Sequence, residues 1–204
     1  MADYLYADDG KIHTRYTELS RCTAGQIDRV IDERLGTRES FKSDNMEFGT
    51  DRHDMWENEG KRTGRIPECF GLDWPISHVE QEFVSEILPD VVLHSRPDAV
   101  CADISTIVDY KTLIADSFAM GELLAVQRYS KSKQLPIYAY QAGLHDIRIK
   151  RIAYLVEIWN RQQTEILGYK IITKEFKMKD IGAALPWVRE RVAMLVSAIE
   201  GRSL

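Results

Sequence analysis

Two acids and a lysine carry the clearest chemistry in the sequence: Asp98, in Arg96-Pro97-Asp98-Ala99-Val100, and the pair in Val108-Asp109-Tyr110-Lys111-Thr112. On a strand, Asp109 and Lys111 point to one face and Tyr110 to the other. A tight turn at Ala102-Asp103 would bring Asp98 back near Asp109. Two carboxylates and an ammonium group converging at a sheet end can hold Mg²⁺ or Mn²⁺, which prefer hard oxygen ligands, and keep a lysine beside an attacking water. Taken alone, an Asp-x-Lys pair is an ordinary solvent-facing pair on a half-exposed strand. Here the two charges interrupt an otherwise apolar strand end, where charge needs a partner.

Three further groups could join them. Gly49, His53 and Glu57 fall on one stripe of a helix, where His53 could add a nitrogen ligand and Gly49 would let the helix approach another backbone closely. Gln134 and Tyr138 lie one turn apart at a helix start that tolerates Pro136, and both can hydrogen-bond a phosphate or a base. Glu80 and Glu82 share a face if Val79–Leu88 is one strand, and Glu80 could extend the acid cluster.

The elements that must position these residues follow from apolar spacing. Ser20 reads as the N-cap of a helix from about Arg21 to Leu35, which stops at Gly36, and a second helix covers about Asp44 to Glu59. Lys61–Ile76, with two glycines and two prolines, reads as a loop. Val79–Leu88, Val91–Leu93, Ala99–Cys101 and Ile104–Tyr110 read as a β-meander. Helices at Ser117–Tyr129 and Gln134–Leu144, strands at Ile149–Ile158 and Ile166–Ile172, and an amphipathic helix at Ile181–Ile199 complete an αβββαβ order. The expectation is one domain over 1–204: an N-terminal helical part (1–60), a core (77–175) and a C-terminal helix (178–204).

Composition narrows the class. With 44% hydrophobic and 29% charged residues, the chain matches soluble globular proteins rather than disordered or membrane ones. No apolar run reaches the roughly 18 residues of a membrane span, and Met1–Lys11 does not read as a secretory leader. Cys22, Cys69 and Cys101 are odd in number and far apart, which predicts no disulfide framework and a reducing, cytoplasmic setting. The net charge of −5 argues against holding nucleic acid by passive charge neutralisation alone. A carboxylate metal site is compatible with it, because a bound cation reverses the local sign. Basic residues cluster at Lys61, Arg62 and Arg65, at Arg128, Lys131 and Lys133, and at Arg148, Lys150 and Arg151.

Taken in order, Ser20-Arg21, Gly49-x-x-x-His53, Glu80, Pro97-Asp98, Asp109-x-Lys111 and Gln134-x-x-x-Tyr138 resemble the motif series of the RecB-like branch of the PD-(D/E)XK nuclease superfamily, over roughly residues 20–140. The pattern is similar to that of the stand-alone phage and bacterial exonucleases of that branch and of the nuclease domains of the RecB and AddB recombination helicases. The resemblance implies a restriction-endonuclease-like α/β fold, a central mixed sheet flanked by helices. It makes His53, Asp98, Asp109 and the backbone carbonyl of Tyr110 ligands of one or two Mg²⁺ or Mn²⁺ ions. Lys111 would orient or deprotonate the attacking water, with Glu80 a further catalytic acid. Gln134, Tyr138, Ser20 and Arg21 would contact substrate, Arg21 through a phosphate. The iron-sulfur cluster of some relatives has no cysteines to hold it here, since none follows Cys101.

Phosphodiester hydrolysis requires a nucleophilic water, charge neutralisation on the phosphoryl oxygens and help for the departing 3′ oxygen. The expected activity is therefore a metal-dependent DNA exonuclease of recombination, repair or phage DNA processing, leaving 5′-phosphate products. Ca²⁺ should bind but support little cleavage. A structure-selective or single-strand endonuclease is the alternative within enzymes, and a non-catalytic DNA-binding protein on a nuclease fold the alternative outside them. DNA is the expected partner and no membrane is. On family grounds a single-strand annealing protein and a homo-oligomer such as a toroidal trimer join it, although no heptad or apolar strip in the sequence demands the latter.

Overall fold

Apolar periodicity resolves into eight strands and six α-helices among the residues that the computed structural model describes, 9–34, 36–38 and 43–201. In chain order they are β1 (Ile12–Arg15), α1 (Tyr16–Arg21), α2 (Ile27–Arg34), α3 (Asp44–Thr63), β2 (His78–Val79), β3 (Phe83–Leu88), β4 (Val91–Ser95), β5 (Ala99–Cys101), β6 (Thr106–Ile114), α4 (Phe118–Tyr129), α5 (Gln134–Leu144), β7 (Arg151–Trp159), β8 (Ile166–Glu175) and α6 (Met178–Glu200). They form two compact units. The first takes the described residues of 1–41, 82–95 and 178–204, and the second those of 42–81 and 96–177.

The second unit is a five-stranded mixed sheet in the order β2-β5-β6-β7-β8. β5 runs antiparallel to both β2 and β6, and β7 joins β6 in parallel after the crossover through α4 and α5, as a parallel pair requires. The αβββαβ order holds, with β2, β5 and β6 as its three strands. Long helix α3 is set by its ends: Ser43 Oγ accepts the Met46 N–H at 3.3 Å, and Gly64 closes the helix in the left-handed region (φ 68°). Its Trp56 packs with Ile66, Phe70, Val108, Tyr110 and Leu155 in the core beneath one sheet face. Helix α4 leaves Phe118, Met120, Leu123, Leu124 and Val126 more than one third exposed, an apolar strip not evident in the sequence pattern.

The first unit holds a three-stranded sheet in the order β1-β4-β3, with β1 parallel to β4. Ile12 packs with Cys22, Val30, Ile31, Leu195 and Ile199 from α1's end, α2 and α6.

Several expectations are corrected. The helix read from Arg21 to Leu35 is not continuous: Arg21 ends α1, residues 22–26 break the helix, and α2 begins at Ile27. Ser20 lies inside α1, its hydroxyl donating to the Thr17 carbonyl at 2.8 Å, so it caps nothing, and Leu35 lies outside the described residues. The second helix runs on to Thr63, and the supposed loop contains a short 3-10 turn at Glu68–Phe70. The run Val79–Leu88 is not one strand, because Glu80 adopts φ 49° between β2 and β3. The meander is accordingly divided: hairpin β3–β4 pairs with β1, not with β2 and β5. Strand β1 has no counterpart in the sequence reading. Gly49 makes no close approach, since a Cβ there would meet open space; Gly60 does, with Ile76 3.1 Å from where its Cβ would stand.

Candidate active site

The turn after β5 does what the Asp-x-Lys reading requires. A 3-10 turn at Ala102–Ile104 reverses the chain, and β5 pairs with β6 so that Ala99 stands opposite Val108. Asp98 therefore arrives beside Asp109 and Tyr110, and its Oδ2 accepts the Tyr110 N–H. That backbone segment carries the carbonyl that the resemblance assigns to a metal. Strand β6 lies inside the sheet, so Asp109 is buried, only 2% exposed, with Asp98 at 6%. The Lys111 ammonium sits directly against Asp109 Oδ2. Tyr110 turns to the other face, against Trp56 and Phe70.

His53 reaches the same cluster from α3, with Nε2 2.7 Å from Asp98 Oδ1. Gln134, the first residue of α5, donates from Nε2 to Asp109 Oδ1 and to the Tyr138 hydroxyl, both at 3.2 Å. Glu80 N–H donates to the Asp98 carbonyl at 3.0 Å, and its carboxylate lies 3.4 Å from Arg96. The structure thus brings together His53, Glu80, Asp98, Asp109, Lys111, Gln134 and Tyr138. Ser20 and Arg21 belong to the first unit, where Arg21 pairs with Glu33 at 2.7 Å.

The electrostatics follow from burial. Desolvation pushes the Asp109 carboxyl up to about 6, with Lys111 pulling it down and Asp98 pushing it further up. Burial alone would lower Lys111, but Asp109 and Asp98 outweigh it and hold its ammonium above the ordinary lysine value. The hydrogen bond to Asp98 raises His53 against the effect of burial. Burial raises Glu80 too, opposed by Arg96 and reinforced by Glu57. Two nearly buried carboxylates side by side, one of them pushed up by burial and by its neighbour's charge, are a donor set a hard divalent cation relieves. Asp98, Asp109 and the His53 imidazole fit such an ion on that ground.

Three contributors, Glu57, Arg52 and Glu157, were given no role in the site from sequence. Glu57, one turn after His53, has a carboxylate oxygen within 4.8 Å of ligand atoms of both His53 and Glu80, and the helical stripe of His53 already pointed to it. Arg52 makes a bidentate pair with fully buried Glu157 of β7 (2.8 and 2.7 Å). Trp159 Nε1 donates to the same carboxylate at 2.6 Å, and the Arg52 guanidinium lies over the Trp56 and Trp159 rings at 5.4 and 5.1 Å. This pair ties α3 to β7 one residue before His53. Its trace in the sequence is a lone acid in the apolar run Ile152–Trp159.

No family profile and no curated protein matches the chain. Solved structures do. The alkaline exonuclease LHK-Exo of Laribacter hongkongensis, in complex with dAMP, superposes with a TM-score of 0.57 at 13% identity, over 92% of this chain and 89% of that one. A candidate exonuclease of Eubacterium rectale gives 0.63 at 13%, over 98% and 83%. A phage-related exonuclease of Haemophilus somnus gives 0.61 at 8%, over 94% and 97%. At these identities the likeness is one of fold: the chain has the mixed α/β, restriction-endonuclease-like architecture of these exonucleases.

Proposed function

We propose that the second unit carries the active site of a metal-dependent DNA exonuclease of the RecB-like PD-(D/E)XK type. The observation that carries this reading is the convergence of two nearly buried carboxylates, Asp98 and Asp109, with the Lys111 ammonium and the His53 imidazole, on a fold shared with exonucleases. In this reading Asp98, Asp109, His53 and the Tyr110 carbonyl hold one or two Mg²⁺ or Mn²⁺ ions. A bound ion supplies a water that is nucleophilic near neutral pH and offsets charge on the phosphoryl oxygens. Lys111 keeps its proton at neutral pH, so it acts as a donor, orienting the water and stabilising phosphoryl charge rather than abstracting a proton. Gln134 fixes the Asp109 carboxylate. Glu80 and Glu57 extend the acidic surface, and Tyr138 takes a substrate contact.

The dAMP bound by LHK-Exo supports a 5′-deoxynucleotide as the product class here. Recombination, repair or phage DNA processing in the cytoplasm is the proposed setting, with an annealing protein and self-association as proposed partners. Among the described residues no helix is long and apolar enough to cross a membrane.

The test is degradation of linear and closed circular DNA with Mg²⁺, Mn²⁺, Ca²⁺ or chelator, wild type beside Lys111→Ala. Loss of linear DNA alone, with Mg²⁺ or Mn²⁺ and only in the wild type, is expected. Cutting of the circle would replace exonuclease by endonuclease, and binding without hydrolysis under every metal would make the chain a non-catalytic DNA-binding protein.

A further inference from the structure

The first unit holds a second histidine cluster that the nuclease reading does not use. His13 of β1 and His94 of β4 lie on neighbouring parallel strands, in register so that His13 stands opposite Val92 and Arg15 opposite His94. Side chains two apart on a strand share a face, so both imidazoles project to the side away from buried Ile12 and Leu93. They meet ring to ring: His13 Nδ1 is 2.8 Å from His94 Nε2, with centroids 5.0 Å apart and planes tilted by 45°. Each remote nitrogen faces a carboxylate, His13 Nε2 at 3.1 Å from Asp9 Oδ2 and His94 Nδ1 at 3.2 Å from Glu82 Oε1.

Proton counting makes this arrangement incomplete by itself. A carboxylate oxygen only accepts, so His13 Nε2 and His94 Nδ1 carry the ring protons. In the neutral imidazoles, Nδ1 of His13 and Nε2 of His94 are then both lone pairs, aimed at each other at 2.8 Å. Something positive belongs between them: a shared proton or a metal ion. The outer carboxylates are the partners that metal-ligating histidines have, fixing the tautomer and raising ligand basicity. Two nitrogens at zinc distance in tetrahedral geometry stand about 3.3 Å apart. A few tenths of an ångström of opening between two half-buried side chains provides that. Imidazole pairs select Zn²⁺, Ni²⁺ or Cu²⁺, whereas Mg²⁺ and Ca²⁺ prefer oxygen.

We propose that His13 and His94 form a transition-metal site, oriented by Asp9 and Glu82 and completed by water, that clips strand β1 to β4. The ligands lie 81 residues apart in sequence, so an ion joining them closes a long loop and stabilises the folded chain. This reading does not rest on the nuclease assignment. The experiment is competition of the full-length protein with a chromophoric chelator for Zn²⁺, in wild type, His53→Ala, His13→Gln, His94→Gln and Glu82→Gln, with thermal melts with and without Zn²⁺. Expected are one Zn²⁺ retained in His53→Ala, affinity at least about tenfold lower in each histidine variant, and a loss of about tenfold in Glu82→Gln, which keeps both ligands. The Zn²⁺-induced rise in Tm should disappear in His13→Gln, whose native residue is partly exposed, even if His94→Gln folds poorly. Unchanged Zn²⁺ affinity in His13→Gln, or wild-type binding that His53→Ala removes entirely, would overturn the site and leave a proton between the two rings.

Discussion

The two histidine–carboxylate clusters of this chain use the same residue types under opposite solvation. In the second unit Asp98 and Asp109 are 6% and 2% exposed, and desolvation is the largest influence on the Asp109 carboxyl. In the first, the side chains of Asp9 and Glu82 are 48% and 51% exposed, so water solvates their charge while each faces an imidazole nitrogen. Buried carboxylates around an ammonium form a high-energy constellation that folding tolerates only with partners or a cation. Half-exposed histidines with hydrated acids cost little and bind without being strained. Burial, more than composition, separates the cluster suited to hydrolysis from the one suited to holding an ion.

That contrast can be broken or sharpened by substitution. The largest effect is expected from Asp109→Asn, which removes the central carboxylate. DNA cleavage should fall by about 10³-fold, with a cooperative thermal transition retained; retained cleavage would remove the second unit's claim to chemistry. Lys111→Met should cost about 10²-fold or more in cleavage rate. It should also move the acid limb of the pH–rate profile upward, because Asp109 loses the cation that favours its ionised form.

Arg52→Ala leaves Glu157 buried and unpaired, which should cost about 3 kcal/mol and lower Tm by roughly 6–12 °C. The double variant Arg52→Met with Glu157→Leu should recover most of that loss, as replacement of a buried pair by apolar groups does.

The pH dependence has a definite sign. Asp109's folded value, about 6, lies above its ordinary 3.8. The folded metal-free protein therefore binds more protons in that window, and stability from this group is present below it and lost as pH rises through about 6. Urea unfolding in chelator should show wild type losing on the order of 2–3 kcal/mol relative to Asp109→Asn between those values. The smallest expected effect is Gln134→Leu, a loss of roughly 1 kcal/mol of support to Asp109, seen as about fivefold slower cleavage.

Much of the candidate active site was legible because its determinants are local. Asp109 and Lys111 share a face by strand period, a short turn returns Asp98 to them, and Gln134 opens a helix with Tyr138 one turn on. The expectations that failed depend on distant partners. Nothing near Phe83–Ser95 indicates that the hairpin pairs with β1, because apolar alternation sets which face is buried and not which strand lies alongside. Arg52 and Glu157 lie 105 residues apart, so a buried acid in β7 announces a need for a cation without saying which one. His13 and His94, 81 residues apart, are separated in the same way, and nothing near either one marks the other. Glu80's positive φ of 49° has no mark in the local sequence pattern.

The most direct test of the central claim is the release of 5′-phosphorylated nucleotides from end-labelled linear DNA in Mn²⁺, compared between wild type and Asp109→Asn at equal, verified folding. The account predicts release by the wild type, none in chelator and about a thousandth of the rate in the variant. Equal release by both proteins would contradict it and place the chemistry elsewhere in the chain.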